Sequence, residues 1–133
     1  MKKKHFFKIF VFYYFPAFVW MGIIFYLSSI PGLKTGAAVH WEIIFRKIAH
    51  LTEYAILAFL FWRIFYYHLK IKNVVSYSVS FFLALIYAAG DETHQFFVKD
   101  RSGRWEDVVL DSIGVLLGLI LVYGARKLFA NKS

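Results

Sequence analysis

Residues 87–118 read YAAGDETHQFFVKDRSGRWEDVVLDSIGVLLG, and the rest of the chain is understood from this stretch. An apolar segment enters it, ionisable residues crowd its middle, and a second apolar segment leaves it. Two membrane-crossing helices joined by a polar turn produce such a pattern, with Asp91, Glu92, His94, Arg101, Arg104, Asp107 and Asp111 held at one membrane face. A shorter group, Arg46, Lys47, His50, Glu53 and Tyr54, heads another apolar segment and is expected to face the first.

Composition agrees with a membrane setting. The chain has 133 residues, one domain's length, and is 60% hydrophobic and 22% aromatic, beyond the usual apolar share of a soluble domain. It has no cysteine, which excludes disulfides, thiolate catalysis and Cys-ligated zinc. The net charge of +8 lies in short patches between apolar runs, with no basic face carrying base-stacking aromatics. No nucleic-acid partner is therefore expected.

Working outward, MKKKHFFK at residues 1–8 is a basic start, and Ile9 to Ser29 carry no charge. That run spans a hydrocarbon core of ~30 Å at ~1.5 Å per residue. It exceeds the ~7–15 residues of a signal-peptide core, and no A-x-A site follows, so it reads as a retained helix. Pro16 lies inside it as a tolerated kink, and Trp20 and Tyr26 read as packing or belt residues. Ser28-Ser29-Ile30-Pro31-Gly32 ends it. A loop to about Phe45 follows, with an interfacial turn around His40-Trp41-Glu42. The second helix starts at Arg46, Lys70-Ile71-Lys72-Asn73 is a tight basic loop, and the third helix runs from about Val74 through DETHQFF. Lys99 to Gly103 breaks it, and the fourth helix opens near Trp105. The expected fold class is all-α: a polytopic membrane protein, an antiparallel bundle of four transmembrane helices at about 9–29, 46–69, 74–98 and 105–128, forming a single domain 1–133.

Orientation follows from the loop charges. Lys2, Lys3, Lys4, Lys8, Arg63, Lys70, Lys72, Arg126, Lys127 and Lys132 fall on one side. Lys34, Arg46, Lys47, Lys99, Arg101 and Arg104 fall on the other, together with all eight acidic residues. The more basic side is expected to be cytoplasmic, which puts both termini inside and the polar clusters outside.

Helical spacing gathers the polar residues into stripes. Lys47, His50 and Tyr54 share a face, with Glu53 beside His50. Asp91, His94 and Gln95 share a face that continues through Tyr87, Ala84 and Ala88. Asp107, Asp111, Gly114 and Gly118 form one stripe, in which Gly114-x-x-x-Gly118 reads as a helix-packing face. Taken singly, His50 with Glu53 and Asp91 with His94 are equally local pairs that dress a helix end, and Arg101 and Arg104 equally solvated loop charges. Asp111 is different, because it lies about a turn inside an apolar run and needs a cation, a donor or a proton.

Several chemistries remain open. The histidines and carboxylates suit a divalent metal, although H-E-x-x-H and other specific ligand spacings are absent. Ser28 or Ser29 with a histidine would imitate a hydrolase pair, but there is no G-x-S-x-G elbow and no glycine-rich phosphate loop. Lys47, Arg101, Arg104 and two histidines suit an anionic headgroup such as a phosphate.

The ordered set K-x-x-H-x-x-E-Y (Lys47, His50, Glu53, Tyr54), D-E-x-H-Q-x-F (Asp91, Glu92, His94, Gln95, Phe97), R-S-G (Arg101, Ser102, Gly103) and D-x-x-x-D-x-x-G-x-x-x-G (Asp107, Asp111, Gly114, Gly118) resembles the VanZ-like family, over about residues 20–120. Ser28-Ser29 before a proline also fits. Family members often carry asparagine where this chain has Asp111, which replaces an amide by a protonated or paired aspartate. The resemblance implies a small bacterial inner-membrane protein of four or five helices, with a founding member linked to reduced teicoplanin susceptibility.

Three functions are then expected to compete. The first is binding of an anionic lipid or cell-wall precursor headgroup by Lys47, His50, Glu53, Tyr54, Asp91, Glu92, His94, Gln95, Arg101, Arg104, Asp107 and Asp111. The second is an enzyme on a lipid or cell-wall substrate, with His50 or His94 as acid or base and Asp91 or Glu92 orienting it. The third is a proton-coupled carrier using Asp111 and Asp91, although no inverted repeat is visible. The expected partners are membrane lipids and a lipid-linked cell-wall precursor or glycopeptide. No cofactor is expected, with a divalent metal left open.

Overall fold

The structure is a computed structural model and describes residues 2–32, 38–101 and 103–130. Lys34, Ser102 and Lys132 lie outside the described residues. The first rod consists of α1 (Lys2–Ile9), a π-helical stretch at Phe10–Tyr14, and α2 (Phe15–Ser28). The second is α3 (Ala38–Arg63), which runs on into a π-helical end at Ile64–His68; the third is α4 (Asn73–Gln95) and the fourth α5 (Trp105–Ala130). Four stretches are long and apolar enough to cross a membrane, His5–Ser28, His40–His68, Asn73–Gln95 and Trp105–Ala130. The fold is thus the expected all-α bundle, and the chain is a multi-pass membrane protein.

Three boundaries differ from the sequence reading, for local reasons. The first rod is helical from Lys2 rather than from about Ile9. The second rod is helical from Ala38 rather than from near Arg46, and Glu42 and Arg46 form an i,i+4 ion pair on its added turns. The third rod ends at Gln95, after which Phe96 N donates to Glu92 O and Phe97 N to His94 O as the chain tightens into turns.

Pro16 accounts for the irregularity in the first rod. It has no N–H to give to the carbonyl one turn back, that of Phe12, and a π-helical stretch is a common way to absorb such a defect. Arg63 of α3 donates to that Phe12 oxygen and lies over the Phe12 ring, 5.3 Å from its centroid. A membrane helix keeps its proline when a neighbour takes up the freed carbonyl. Arg63→Met is expected to lower stability by about 1–3 kcal/mol in the Pro16 background. It should cost clearly less beside Pro16→Ala, where the restored N–H supplies the carbonyl. Thermal unfolding of the four proteins in detergent checks this, and equal costs in both backgrounds would contradict it.

The helices α3 and α5 run parallel and meet in register. A Cβ on Gly114 would lie 2.5 Å from Leu51 O, and one on Gly118 would lie 2.4 Å from Ala55 O. Both glycines therefore let two backbones touch, as small residues do between membrane helices. On α4 the buried face is also small: Ser76, Ser80, Ala84 and Ala88 are fully enclosed. Each serine hydroxyl turns back onto its own helix, Ser76 to Asn73 O at 2.7 Å and Ser80 to Ser76 O at 2.6 Å, so neither hydroxyl is stranded. Ile24, Tyr54, Leu57, Trp62, Val115 and Leu119 fill the centre. Phe18, Phe82, Ile86, Ile120 and Leu121 face outward, as a lipid surround requires.

The two ends of the bundle differ. At one, Tyr14 and His68 are hydrogen-bonded at 2.9 Å, and Arg126 donates to Asn73 at 2.7 Å and to the Tyr66 hydroxyl at 2.6 Å. At the other, the exit of α2 and the turn after α4 touch, with Gly32 N donating to Lys99 O at 3.3 Å. The acidic side chains lie in this second half, and so does the candidate site.

Candidate functional site

The exit of α2 leaves carbonyls without helical donors, as every helix C-terminus does. Two arginines supply them. Arg101 gives Nη2 to Leu27 O at 2.9 Å, Nε to Ile30 O at 3.1 Å and Nη1 to Gln95 Oε1 at 2.7 Å. Arg46 gives Nη1 to Ile30 O at 3.3 Å and Nη2 to Pro31 O at 3.0 Å, while also pairing with Glu42. These guanidinium groups are committed to holding three segments together, a task suited to a planar fork of donors.

Inside this clamp is a pocket of about 250 Å³. Arg46, Lys47 and His50 of α3, Glu92 and Gln95 of α4, Arg101 and Arg104 of the connecting turn, and Asp107 and Asp111 of α5 all line it, with Gly32, Glu42, Ile43, Asp100 and Leu110. The α3 and α5 stripes face each other rung by rung. Lys47 Nζ is 3.1 Å from Asp107 Oδ1, His50 Nδ1 is 3.3 Å from Asp111 Oδ1, and the two glycine contacts continue the series inward. The His50–Asp111 contact has ion-pair distance but not hydrogen-bond alignment, so neither oxygen of the fully buried Asp111 has a hydrogen-bond donor among the described residues.

Glu92 is held from both sides. Gln95 Nε2 donates to its Oε1 at 3.0 Å and the Arg104 backbone N–H to its Oε2 at 3.1 Å. Gly103 permits the second contact, since a Cβ there would lie 2.4 Å from Glu92 O. Asp91 is buried and is not part of the pocket lining; its Oδ2 accepts from Ser28 Oγ at 2.6 Å and from Gln95 Nε2 at 3.0 Å. Glu53 and Tyr54 are also buried and do not line the pocket, and among the described residues Glu53 Oε2 and the Tyr54 hydroxyl have no hydrogen-bond partner. The Glu53 carbonyl accepts from Trp20 Nε1 at 2.9 Å, so Trp20 ties the first rod to the second.

His94 is not brought into the pocket. Its ring stacks on Phe25 at 4.4 Å, and its Nε2 is 3.0 Å from Ser29 Oγ. That distance suits a nucleophile and its base, but the Ser29 hydroxyl donates to Phe25 O at 2.7 Å. The imidazole Nε2–H therefore donates a hydrogen bond to Ser29 Oγ, the reverse of the arrangement that activates a nucleophile. The pocket holds one histidine rather than two.

Three features escaped the sequence reading. The Ser28–Asp91 bond joins residues far apart in the chain and has no local signal. The clamp on the α2 carbonyls uses backbone acceptors, to which residue identity gives no clue. Glu42 carried a usable signal, its i,i+4 spacing to Arg46.

Four apolar crossings with their acidic groups gathered toward one end define a polytopic helical membrane protein with a polar pocket. The VanZ/LLP1 family model matches residues 10–129, nearly the whole chain, and the protein belongs to that VanZ-like family. No curated protein and no solved structure matches it.

Proposed function

We propose that the protein sits in a bacterial inner membrane with both termini cytoplasmic, and binds the phosphate-bearing headgroup of a lipid or lipid-linked cell-wall precursor in this pocket. Through that binding it alters the response of the envelope to glycopeptides such as teicoplanin. The observation that carries the reading is the state of the pocket's cations. Arg46 and Arg101 are fixed, by Glu42, Gln95 and the α2 carbonyls, and are not available to a ligand. The Lys47 side chain is 52% exposed, and that of Arg104 is 65% exposed and reaches Glu106 only at 4.0 Å. Arg104 is free to close on a phosphate with two parallel donors, and Lys47 reaches the same phosphate by turning from Asp107, its partner at 3.1 Å.

Retention of a polyprenyl phosphate and of anionic and zwitterionic phospholipids, followed by native mass spectrometry, tests the reading. The wild type is expected to hold the phosphate monoester best, and Lys47→Ala with Arg104→Ala to lose ~10-fold or more of that preference, each charge-assisted contact being worth about 1.5–3 kcal/mol. Equal retention of all lipids by both proteins would refute it. Arg101→Ala is a poor probe, because it also opens the clamp.

A second reading is favoured by His50, which lies in the same pocket with Asp111 and Glu92. An enzyme acting on such a headgroup would use His50, and not His94, as its acid or base. A change in mass of the retained lipid selects this reading over simple binding.

A further inference from the structure

Asp111 lacks what a buried carboxylate requires. It is 0% exposed, it lines the pocket, and no hydrogen-bond donor among the described residues reaches either of its oxygens. An ionised carboxylate so placed needs a cation. Lys47 is engaged by Asp107 at 3.1 Å, and His50 approaches at 3.3 Å without alignment. One ligand atom each from His50, Glu92 and Asp111 lie within 4.8 Å of one another, contributed by three different helices.

We propose that His50, Glu92 and Asp111 form a binding site for a divalent metal ion of the Zn²⁺ or Mn²⁺ class. A neutral imidazole and two carboxylates bring two negative charges to a dication. Mixed nitrogen and oxygen donors suit borderline ions better than Ca²⁺, which takes about six to eight oxygens. Three protein ligands leave a coordination position open toward the pocket, as catalytic zinc sites do and structural ones do not. Glu92 is already oriented by Gln95 and by the Arg104 N–H, and Gln95 in turn by Arg101 at 2.7 Å; such outer contacts fix and tune metal ligands. The simpler account, a His50–Asp111 ion pair sufficient in itself, gives Glu92 no part, and this separates the two.

The ion's role deepens the headgroup reading and rests on it, since the open position would meet a phosphate oxygen. Its binding does not depend on that reading. The full chain, purified in detergent and stripped with a chelator, is titrated calorimetrically with ZnCl₂ and with MnCl₂, and retained metal is counted after desalting. One ion per chain is expected. Glu92→Gln and Asp111→Asn should each weaken binding ~10-fold or more, while Glu106→Gln, exposed and outside the pocket lining, keeps the wild-type affinity. Circular dichroism and gel filtration establish that each variant is folded, and either pocket variant alone decides the matter. No binding heat with negligible retained metal would overturn the site, as would an unchanged affinity in folded Glu92→Gln. Lipid retention measured on the same samples separates the two ideas: metal bound without any lipid preference removes the headgroup reading alone, and lipid preference without metal removes the ion alone.

Discussion

Replacing Gly114 and Gly118 together by valine is expected to prevent the bundle from packing. Even a methyl group on Gly118 would lie 2.4 Å from the Ala55 oxygen and 2.8 Å from its Cα. On Gly114 it would lie 2.5 Å from the Leu51 oxygen and 2.9 Å from its Cα. These are backbone atoms, so no rotamer change relieves them and α3 must move away from α5. Overpacking costs about 1–3 kcal/mol at one site, and two adjacent sites on one seam compound it. Separation would also pull His50 from Asp111 and Lys47 from Asp107. Thermal unfolding in detergent, read with gel filtration, should show a large loss of stability and of monodispersity. Gly90→Ala and Gly124→Ala are the controls, because nothing lies within 4 Å of a Cβ at either. They are expected to gain about 0.5–1 kcal/mol from the better helix former. Similar behaviour of both pairs would refute the close-contact account of the seam.

The second large effect is expected at His50. His50→Leu leaves the wholly enclosed Asp111 without its nearest cationic partner, and breaking a buried pair in this way costs about 3–5 kcal/mol. Asp111→Leu should cost much less, because an imidazole at the pocket floor can give up its charge and meet water. The double change to leucine is expected to recover most of the loss from His50→Leu, since two apolar side chains of similar volume replace a pair with large desolvation. Unfolding measured across all four proteins in metal-free buffer gives the coupling directly. Additive costs would show that the two residues do not act as a pair.

Much of the architecture was legible because a bilayer writes itself into sequence at low resolution. An uncharged run such as Ile9 to Ser29 has few rivals, and Gly114-x-x-x-Gly118 announces a contact even when its partner is unknown. Part of the site was legible for a related reason: Lys47 with His50 and Asp107 with Asp111 repeat at helical spacing, and two stripes of that kind meet when their helices run parallel. His94 shows where this reasoning stops. It shares a sequence neighbourhood and an approximate face with Asp91 and Gln95, but one residue on a helix turns the side chain by about 100°. That turn was enough to carry it to Phe25 and Ser29 on the first rod. Periodicity ranks faces without saying which neighbour each one meets. Arg101 shows a different limit, because a guanidinium that seals carbonyls and one that receives a phosphate look alike in sequence.

The grip of Arg46 and Arg101 on Leu27, Ile30 and Pro31 is made through main-chain oxygens. Every amino acid offers that atom, so Leu27, Ile30 and Pro31 can vary in side chain without altering what they present to the two arginines, whereas Ser28 is held by its hydroxyl bond to Asp91. The mouth of the pocket is thereby anchored by two side chains on one side and by atoms common to all residues on the other, so its shape depends on Arg46 and Arg101 and not on the identity of Leu27, Ile30 or Pro31.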